Sequence, residues 1–381
     1  MISKKINTKK LKVLLCSLYG RSAMLQYSSQ LANALSRYAD TYVLIPDYSD
    51  TVLFNKDIRF VRIKAPPNML RTAMLTLYYR QFSQAIAQIK KINPDIIHVT
   101  DNHPWYLILL NAFKDKTLFV TQHDVTSHPG EFFRGKVTIV VNKALNKHAR
   151  RVIVHGNILK KELSKTVDKK KILVYPHGDY SFFLKWRKKN VKEEPHTILF
   201  FGRIVYYKGL DILLKAVPLI VKKVPDFKVI IAGDGDLRPY IQFMTPSVMP
   251  HLEIMNKYFA EKDIPILFQR SSIVVMPYRE ASQSGVIPIA YAFKKAVVCT
   301  EVGAIPEVVD NKKTGILIKP GSEEILAETI VMLIKNSSYR RKLGVNGYHK
   351  MCAELSWNSI AQRLVKEYVD AIIEHQREAQ K

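Results

Sequence analysis

TILFFGRIVYYKGLDILL, residues 197–214, is the stretch that decides the fold. It opens as an apolar run of strand-forming residues, turns at Gly202, and from about Gly209 places apolar side chains at helical spacing. The same alternation recurs on both sides. Upstream stand LKVLLCSL with MLQYSSQLANALSRYA after it, then TYVLIP, DIIHVT, TLFVT, RVIVH and ILVYP; downstream come KVIIAG, SIVVMP, AVVCT and GILI. This is the βαβ rhythm of parallel sheets covered by helices on both faces. The polar stretch Arg187 to His196, RKKNVKEEPH, interrupts it once. The sequence therefore predicts an α/β protein of two Rossmann-like domains. Residues 1–187 form the first, 188–196 a linker, 197–356 the second, and 357–381 a terminal helix that returns to the first domain. A central cleft between the domains would hold the substrates.

Arg203 and Lys208 stand at the mouth of the helix that follows Gly202, where free backbone N–H groups and a positive dipole end attract anions. Two fixed cations there form a pyrophosphate clamp, or else are surface residues of a βα loop. A second strand-to-helix junction, YREASQSGVIPIAYAF (278–293), carries Ser282, Ser284, Gly285 and Val286, small residues whose amides a phosphate can approach. Glu280 precedes only small and apolar residues, a costly setting for a carboxylate that is buried unless sugar hydroxyls bond to it. A helix-end charge or an ion pair is the other reading.

FFGRIVYYKGLDILLKA, IAGDGDL, PYREASQSG and KKAVVCTEVGAIPEVVDNKKTGILIKPGS, in this order and spacing, resemble the family 4 glycosyltransferases of the two-domain GT-B fold. The first half resembles them more loosely, through its first strand and Gly20 loop, DIIHVTD, VTQHDV and VYPHGD. The resemblance implies retention of anomeric configuration, a hexosyl-type transfer, a nucleotide-diphosphate sugar as donor, and neither metal nor cofactor. It assigns Arg203 and Lys208 to the donor diphosphate, Glu280 to the donor sugar and His123 to the face of the reacting sugar. Gly20 takes the place of a glycine loop that closes over the phosphates. Gly202, Gly233 and Ser282 to Val286 complete the donor site.

One departure stands out. The family pairs its glutamate with a second one after seven intervening residues, and that second one holds the ribose. Here Ser284 to Phe293 contains no acid, the second position falls at Ile289, and the first lands on Ala281, one residue past Glu280.

His123, Asp124 and His128 could ligate a metal or hydrogen-bond a sugar; the resemblance favours the sugar. His155 and His177 follow strand-like runs and read as structural or functional alike, while Asp211 and Asp234 read as helix-end or loop residues. Cys16, Cys299 and Cys352 are odd in number and widely spaced, which fits a reducing cytoplasm better than a disulfide scaffold.

The chain carries 59 Lys and Arg against 33 Asp and Glu, a net charge of +26. Lys143 to Lys192 alone holds fifteen basic residues and three acids. An anionic phospholipid surface is the first expectation, a merely solvated lysine surface the second, and nucleic acid is not expected. The segment 71–91, with Leu75, Tyr79, Phe82, Ile86 and Ile89 at helical spacing, reads as a crossover helix before an interfacial one; Pro66, Pro67, Met69 and Leu70 before it favour the interface. The apolar run after Met1 is too short for a membrane span and reads as a strand, not a leader. A cytoplasmic enzyme resting on the inner face of the membrane, with a saccharide or lipid-linked acceptor in surface polysaccharide synthesis, is the resulting expectation. The alternatives are an epimerase or hydrolase on the same scaffold, or a binding protein that has lost its chemistry.

Overall fold

The structure, a computed structural model, describes residues 10–65, 79–125 and 132–380. The chain divides into two compact units. One takes the described residues up to Gly178 together with Ser356 onward, the other Asp179–Leu355.

The first unit is built on seven parallel strands: β1 (Lys12–Cys16), β2 (Asp40–Pro46), β3 (Arg59–Ile63), β4 (Ile96–Val99), β5 (Thr117–Gln122), β6 (Arg151–Val154) and β7 (Ile172–Val174). Their order across the sheet is β3-β2-β1-β4-β5-β6-β7. The run LKVLLC thus lies in the middle of a sheet. Leu14 and Cys16 pack to one face with Phe82, Trp105 and Leu109, and Val13 and Leu15 to the other with Leu31 and Leu364. Burial on both faces is why the strand reads as continuously apolar. Helices α1 (Ser22–Leu35), α2 (Tyr79–Ile92), α3 (Tyr106–Phe113), α4 (Phe132–His148) and α5 (Asn157–Leu163) connect the strands. In α2, Phe82, Ala85 and Ile89 are buried in the core, so its described part is a crossover helix. Leu75, the preceding Pro66, Pro67, Met69 and Leu70, and also His128, lie outside the described residues.

The second unit has six parallel strands, β8 (Thr197–Phe201), β9 (Lys228–Ala232), β10 (Leu252–Met255), β11 (Ile273–Met276), β12 (Ala296–Thr300) and β13 (Ile316–Ile318), in the order β10-β9-β8-β11-β12-β13. Ile198 and Phe200 face one apolar layer and Leu199 the other, the period of two that a strand imposes. Helices α6 (Leu210–Val221), α7 (Ile264–Arg270), α8 (Val286–Ala292), α9 (Ile305–Val308), α10 (Glu323–Lys335) and α11 (Ser337–Glu354) complete it.

Two sequence boundaries shift. The first domain ends at Gly178 rather than at residue 187, because Tyr180 and Phe183 are buried in the core of the second unit, with Phe182, Leu184 and Trp186 against it. The expected linker 188–196 is pinned along its length. The Gln269 amide accepts from Lys188 N at 2.8 Å and donates to Lys188 O at 2.7 Å, and Glu194 meets Arg270 at 2.6 Å.

After Leu355 the chain rejoins the first unit as α12 (Trp357–Ala379), which packs against α1. Tyr368 of α12 meets His98 Nδ1 at 2.6 Å, and Arg150 and Arg151 form ion pairs with Glu374 and Glu378. These two arginines of the basic stretch are therefore committed to internal pairs. At the crossings, Asp179 N donates to Leu355 O at 2.9 Å, and Gly178 lies so close to the Trp357 ring that a side chain there would overlap it. Cys16 and Cys299 are buried and Cys352 is exposed, all as free thiols. Among the described residues, no helix is long and apolar enough to cross a membrane.

Candidate active site

In an open parallel sheet the ligand crevice lies at the carboxyl ends of the strands, where the strand order reverses. In the second unit this point lies between β8 and β11. The loops there are 202–209, with Gly202, Arg203 and Lys208, and 277–285, with Glu280, Ser282, Ser284 and Gly285. Arg279 joins them. Its backbone N donates to Tyr207 O at 2.7 Å, its guanidinium grips Asp211 of α6 at 2.8 and 2.6 Å, and it lies over the Tyr206 ring. Asp211 is thus a helix-end residue with a partner, and Arg279 is the site residue the sequence reading missed. Its signal, a cation beside Glu280, was legible; its partner 68 residues away was not.

Backbone packs on backbone at this crevice. Gly233, in the loop after β9, has φ +152, and a side chain on it would sit 1.9 Å from Gly202 O. Asp234 O accepts from Ile204 N at 2.8 Å. Gly209 has φ +69, and a side chain on it would meet Pro277 O at 2.0 Å. Only glycine fits either position.

Lys208 reaches back across this loop, its Nζ lying beside Gly202 and 5.4 Å from the centre of the Tyr278 ring. Burial first, and the neighbouring Arg203 guanidinium second, bring its ammonium down to about 7. Part of its surface remains open to solvent, so burial acts mainly around Nζ. Arg203 is exposed at the rim. The pair sets one exposed and one largely covered cation on the same loop.

On the other loop, Ser282, Ser284 and Val286 are buried. Ser284 Oγ accepts from Val286 N at 3.3 Å, so this hydroxyl caps its own helix. Gly285 lies against the Tyr180 hydroxyl. Glu280 is exposed, so the desolvation penalty that marked it from sequence does not operate. Ile289, at the position of the missing acid, is buried in the core.

In the first unit the strand order reverses between β1 and β4. Gly20 follows β1 with φ +57. The loop before it is held by Asp101 at the end of β4, whose carboxylate accepts from Tyr19 N at 2.9 Å. Burial raises the Asp101 carboxyl to about 6 against the hydrogen bonds that lower it. His123 follows β5 and is buried. Its Nε2 lies 3.1 Å from Thr100 O, while Nδ1 has no hydrogen-bond partner among the described residues. His155 and His177, after β6 and β7, pack around the same Tyr27 ring as His123 at 4.7–5.3 Å. Burial holds all three below the ordinary histidine range, so the rings are neutral. Among the described residues, no group of three or more His, Cys, Asp or Glu is placed to hold a metal ion.

The Glycosyltransferase Family 4 model matches residues 26–178 and the Glycosyl transferases group 1 model residues 195–336. An uncharacterised glycosyltransferase of Methanocaldococcus jannaschii is 25% identical over 199 residues, 50% of each chain, so the match spans half of that relative's length. Spore coat protein SA of Bacillus subtilis is 23% identical over 315 residues, 76% of this chain and 82% of that protein. Among solved structures, sucrose-phosphate synthase from Thermosynechococcus elongatus superposes with a TM-score of 0.78 at 19% identity, covering 96% of this chain and 100% of that one. Anabaena HepE in complex with UDP does so at 0.73 and 17%, covering 94% and 100%. The fold is GT-B, two Rossmann-like units on one chain. The protein belongs to the family 4 glycosyltransferases.

Proposed function

We propose that the protein transfers a sugar, with retention, from a nucleotide diphosphate bound by its second unit to a hydroxyl of a saccharide or lipid-linked acceptor. The observation that carries this reading is the placement of Arg203 and Lys208 beside the glycine-bare loops at the switch point of the second sheet. Positive charge fixed there stabilises a diphosphate, and stabilises it most when the sugar departs and the phosphate gains charge. Lys208, only partly protonated near neutrality without a ligand, becomes a full cation as that charge arrives.

In this reaction the acceptor oxygen bonds to the anomeric carbon on the face the leaving group vacates. The bond from that carbon to the phosphate oxygen breaks, and the acceptor proton passes to that oxygen. Glu280 and neutral His123 orient the donor sugar, with His123 Nδ1 offering a lone pair to a hydroxyl. Gly20 and its loop close over the phosphates, and Gly202, Gly233 and the amides of Ser282 to Val286 line the donor site. The two cations supply the electrostatics, and no metal or cofactor is assigned a step. HepE was solved with UDP, which makes UDP-sugars the first donors to try. The net charge of +26 supports a place on the anionic inner face of the cytoplasmic membrane and a role in surface polysaccharide synthesis.

The test is consumption of labelled nucleotide sugars with candidate acceptors, by wild type and by Arg203→Ala. The variant should be slower by roughly 100-fold. Equal rates for the two proteins would remove the basis of this reading.

A further inference from the structure

The second unit contains a cavity of about 440 Å³ to which none of the loops after β8, β9 or β11 contributes a residue. It lies where α8 ends at Ala292 and Phe293, against Tyr348 of α11 and the segment from Leu184 to Glu193. Its size falls within the range of small-molecule sites.

The lining charges do not balance. Arg187, Lys294 and Lys295 face a single carboxylate, Glu193. That carboxylate is already engaged on both oxygens, by Lys295 at 2.6 Å and by Arg340 at 3.4 Å. Arg187 and Lys294 form no ion pair among the described residues. Lys294 instead lies over the Tyr348 ring, 4.8 Å from its centre. Three lining cations against one lining acid leave two positive charges, opposite in sign and close in size to the charge of about −2 on a phosphate monoester near neutral pH. An arginine fork and a lysine are the groups that recognise such a phosphate. Of the remaining walls, which also include Gln269, Leu184, Phe293 and Tyr348 offer apolar and aromatic faces to the body of the ligand.

Lys294 also holds a backbone that L-residues avoid, with φ +56. The turn Phe293–Lys295 is fixed by Lys294 N to Tyr291 O and Lys295 N to Ala290 O, both at 2.9 Å. These two bonds are those of a helix C-cap, which ends α8 in a left-handed residue. The turn sets the Lys294 ammonium at the cavity.

We infer that this cavity binds a phosphate monoester of a small ring-bearing molecule, its phosphate on Arg187 and Lys294 and its ring against Tyr348 and Phe293, at a site separate from the donor crevice. Occupancy here is independent of whether the crevice holds a nucleotide sugar.

Calorimetric titration with phenyl phosphate, glucose 6-phosphate, benzoate and inorganic phosphate tests it on four proteins: wild type, Arg203→Ala, Arg187→Ala/Lys294→Asn and Tyr348→Ser. Asparagine is chosen at 294 because it tolerates positive φ. One of the two monoesters should bind wild type and Arg203→Ala alike, and bind the double variant at least roughly tenfold more weakly. Tyr348→Ser should weaken the monoester and leave inorganic phosphate unchanged, and UDP affinity should be the same in wild type and the double variant. Equal monoester affinity in the double variant, loss of binding in Arg203→Ala, benzoate binding as tightly as the monoesters, or no monoester binding at millimolar concentration would each overturn the assignment.

Discussion

Arg279 and Asp211 stand 68 residues apart in sequence and share two hydrogen bonds of 2.8 and 2.6 Å across the point where the second sheet reverses its strand order. Burial alone would raise the Asp211 carboxyl, but the bonds and charge of Arg279 outweigh it and hold it low. Both side chains are mostly covered, at 26% and 13% exposure. Arg279→Ala leaves a partly buried carboxylate unpaired and should cost about 2 kcal/mol in urea unfolding. It should also loosen UDP binding without Arg279 touching the nucleotide. Asp211→Asn in the Arg279→Ala background should recover part of the stability; no recovery would show that the pair is not what is lost.

Lys208 predicts a pH signature. Its folded value of about 7 lies below that of an unfolded lysine, so between the two the unfolded chain binds more protons. Stability of the unliganded protein from this group therefore rises as pH climbs above about 7. A bound diphosphate restores the proton. Calorimetry at about pH 8.5 in buffers of different ionisation heat should show proton uptake on UDP binding, absent in Lys208→Met. Equal uptake by the two proteins would contradict it.

Two left-handed glycines of the second unit, Gly209 after β8 and Gly321 after β13, differ in kind. Gly209→Ala combines a left-handed backbone with overlap on Pro277 O and should destabilise by at least about 2 kcal/mol. At Gly321, φ is +93 but among the described residues an added Cβ would meet no atom within 4 Å beyond its chain neighbours, so Gly321→Ala should cost about 1 kcal/mol. Thermal unfolding of the two variants side by side decides whether close approach, and not backbone angle alone, selects glycine after β8.

Acid should strike the first unit through its buried histidines. Burial lowers His98 and His177 to about 3 and pushes His155 well down. Their contribution is whole above the unfolded histidine value and is lost as pH falls from there toward about 3. Each costs up to about 1.4 kcal/mol per pH unit in that window. Melting temperature should fall steeply from pH 7 to pH 5 and less steeply in His155→Phe. Parallel slopes would exclude His155 from the effect.

The strands and their helices were legible because period and turn chemistry are local: LKVLLC, TILFF and IVVM became the centres of their sheets. Loop chemistry was legible to the extent that it was local too, as with Gly202, Arg203 and Lys208 on one turn. What escaped depended on contacts far apart in sequence. RKKNVKEEPH looks like a free linker until Gln269 and Arg270 are placed beside it. Glu280 looked desolvated from its neighbours in sequence, yet the loop turns it outward. Lys294 and Lys295 stand in the sequence only as the first two residues of KKAVVCT, and only the fold sets them beside Arg187, Glu193 and Tyr348.

Asp179 and Leu355 open and close the second unit and are joined by a single backbone hydrogen bond of 2.9 Å. In the language of genes, residues 179–355 form a cassette inserted into another domain rather than a tail appended to it. Ends that coincide are what insertion and exchange of domains require. Two cuts, before Asp179 and after Leu355, lift out the six-stranded unit whole, with Arg203, Lys208 and the crevice between β8 and β11, and leave behind a host in which α12 still docks on α1. Whatever loops the second sheet carries are thereby exchanged as one block, while the host keeps its own terminal helix.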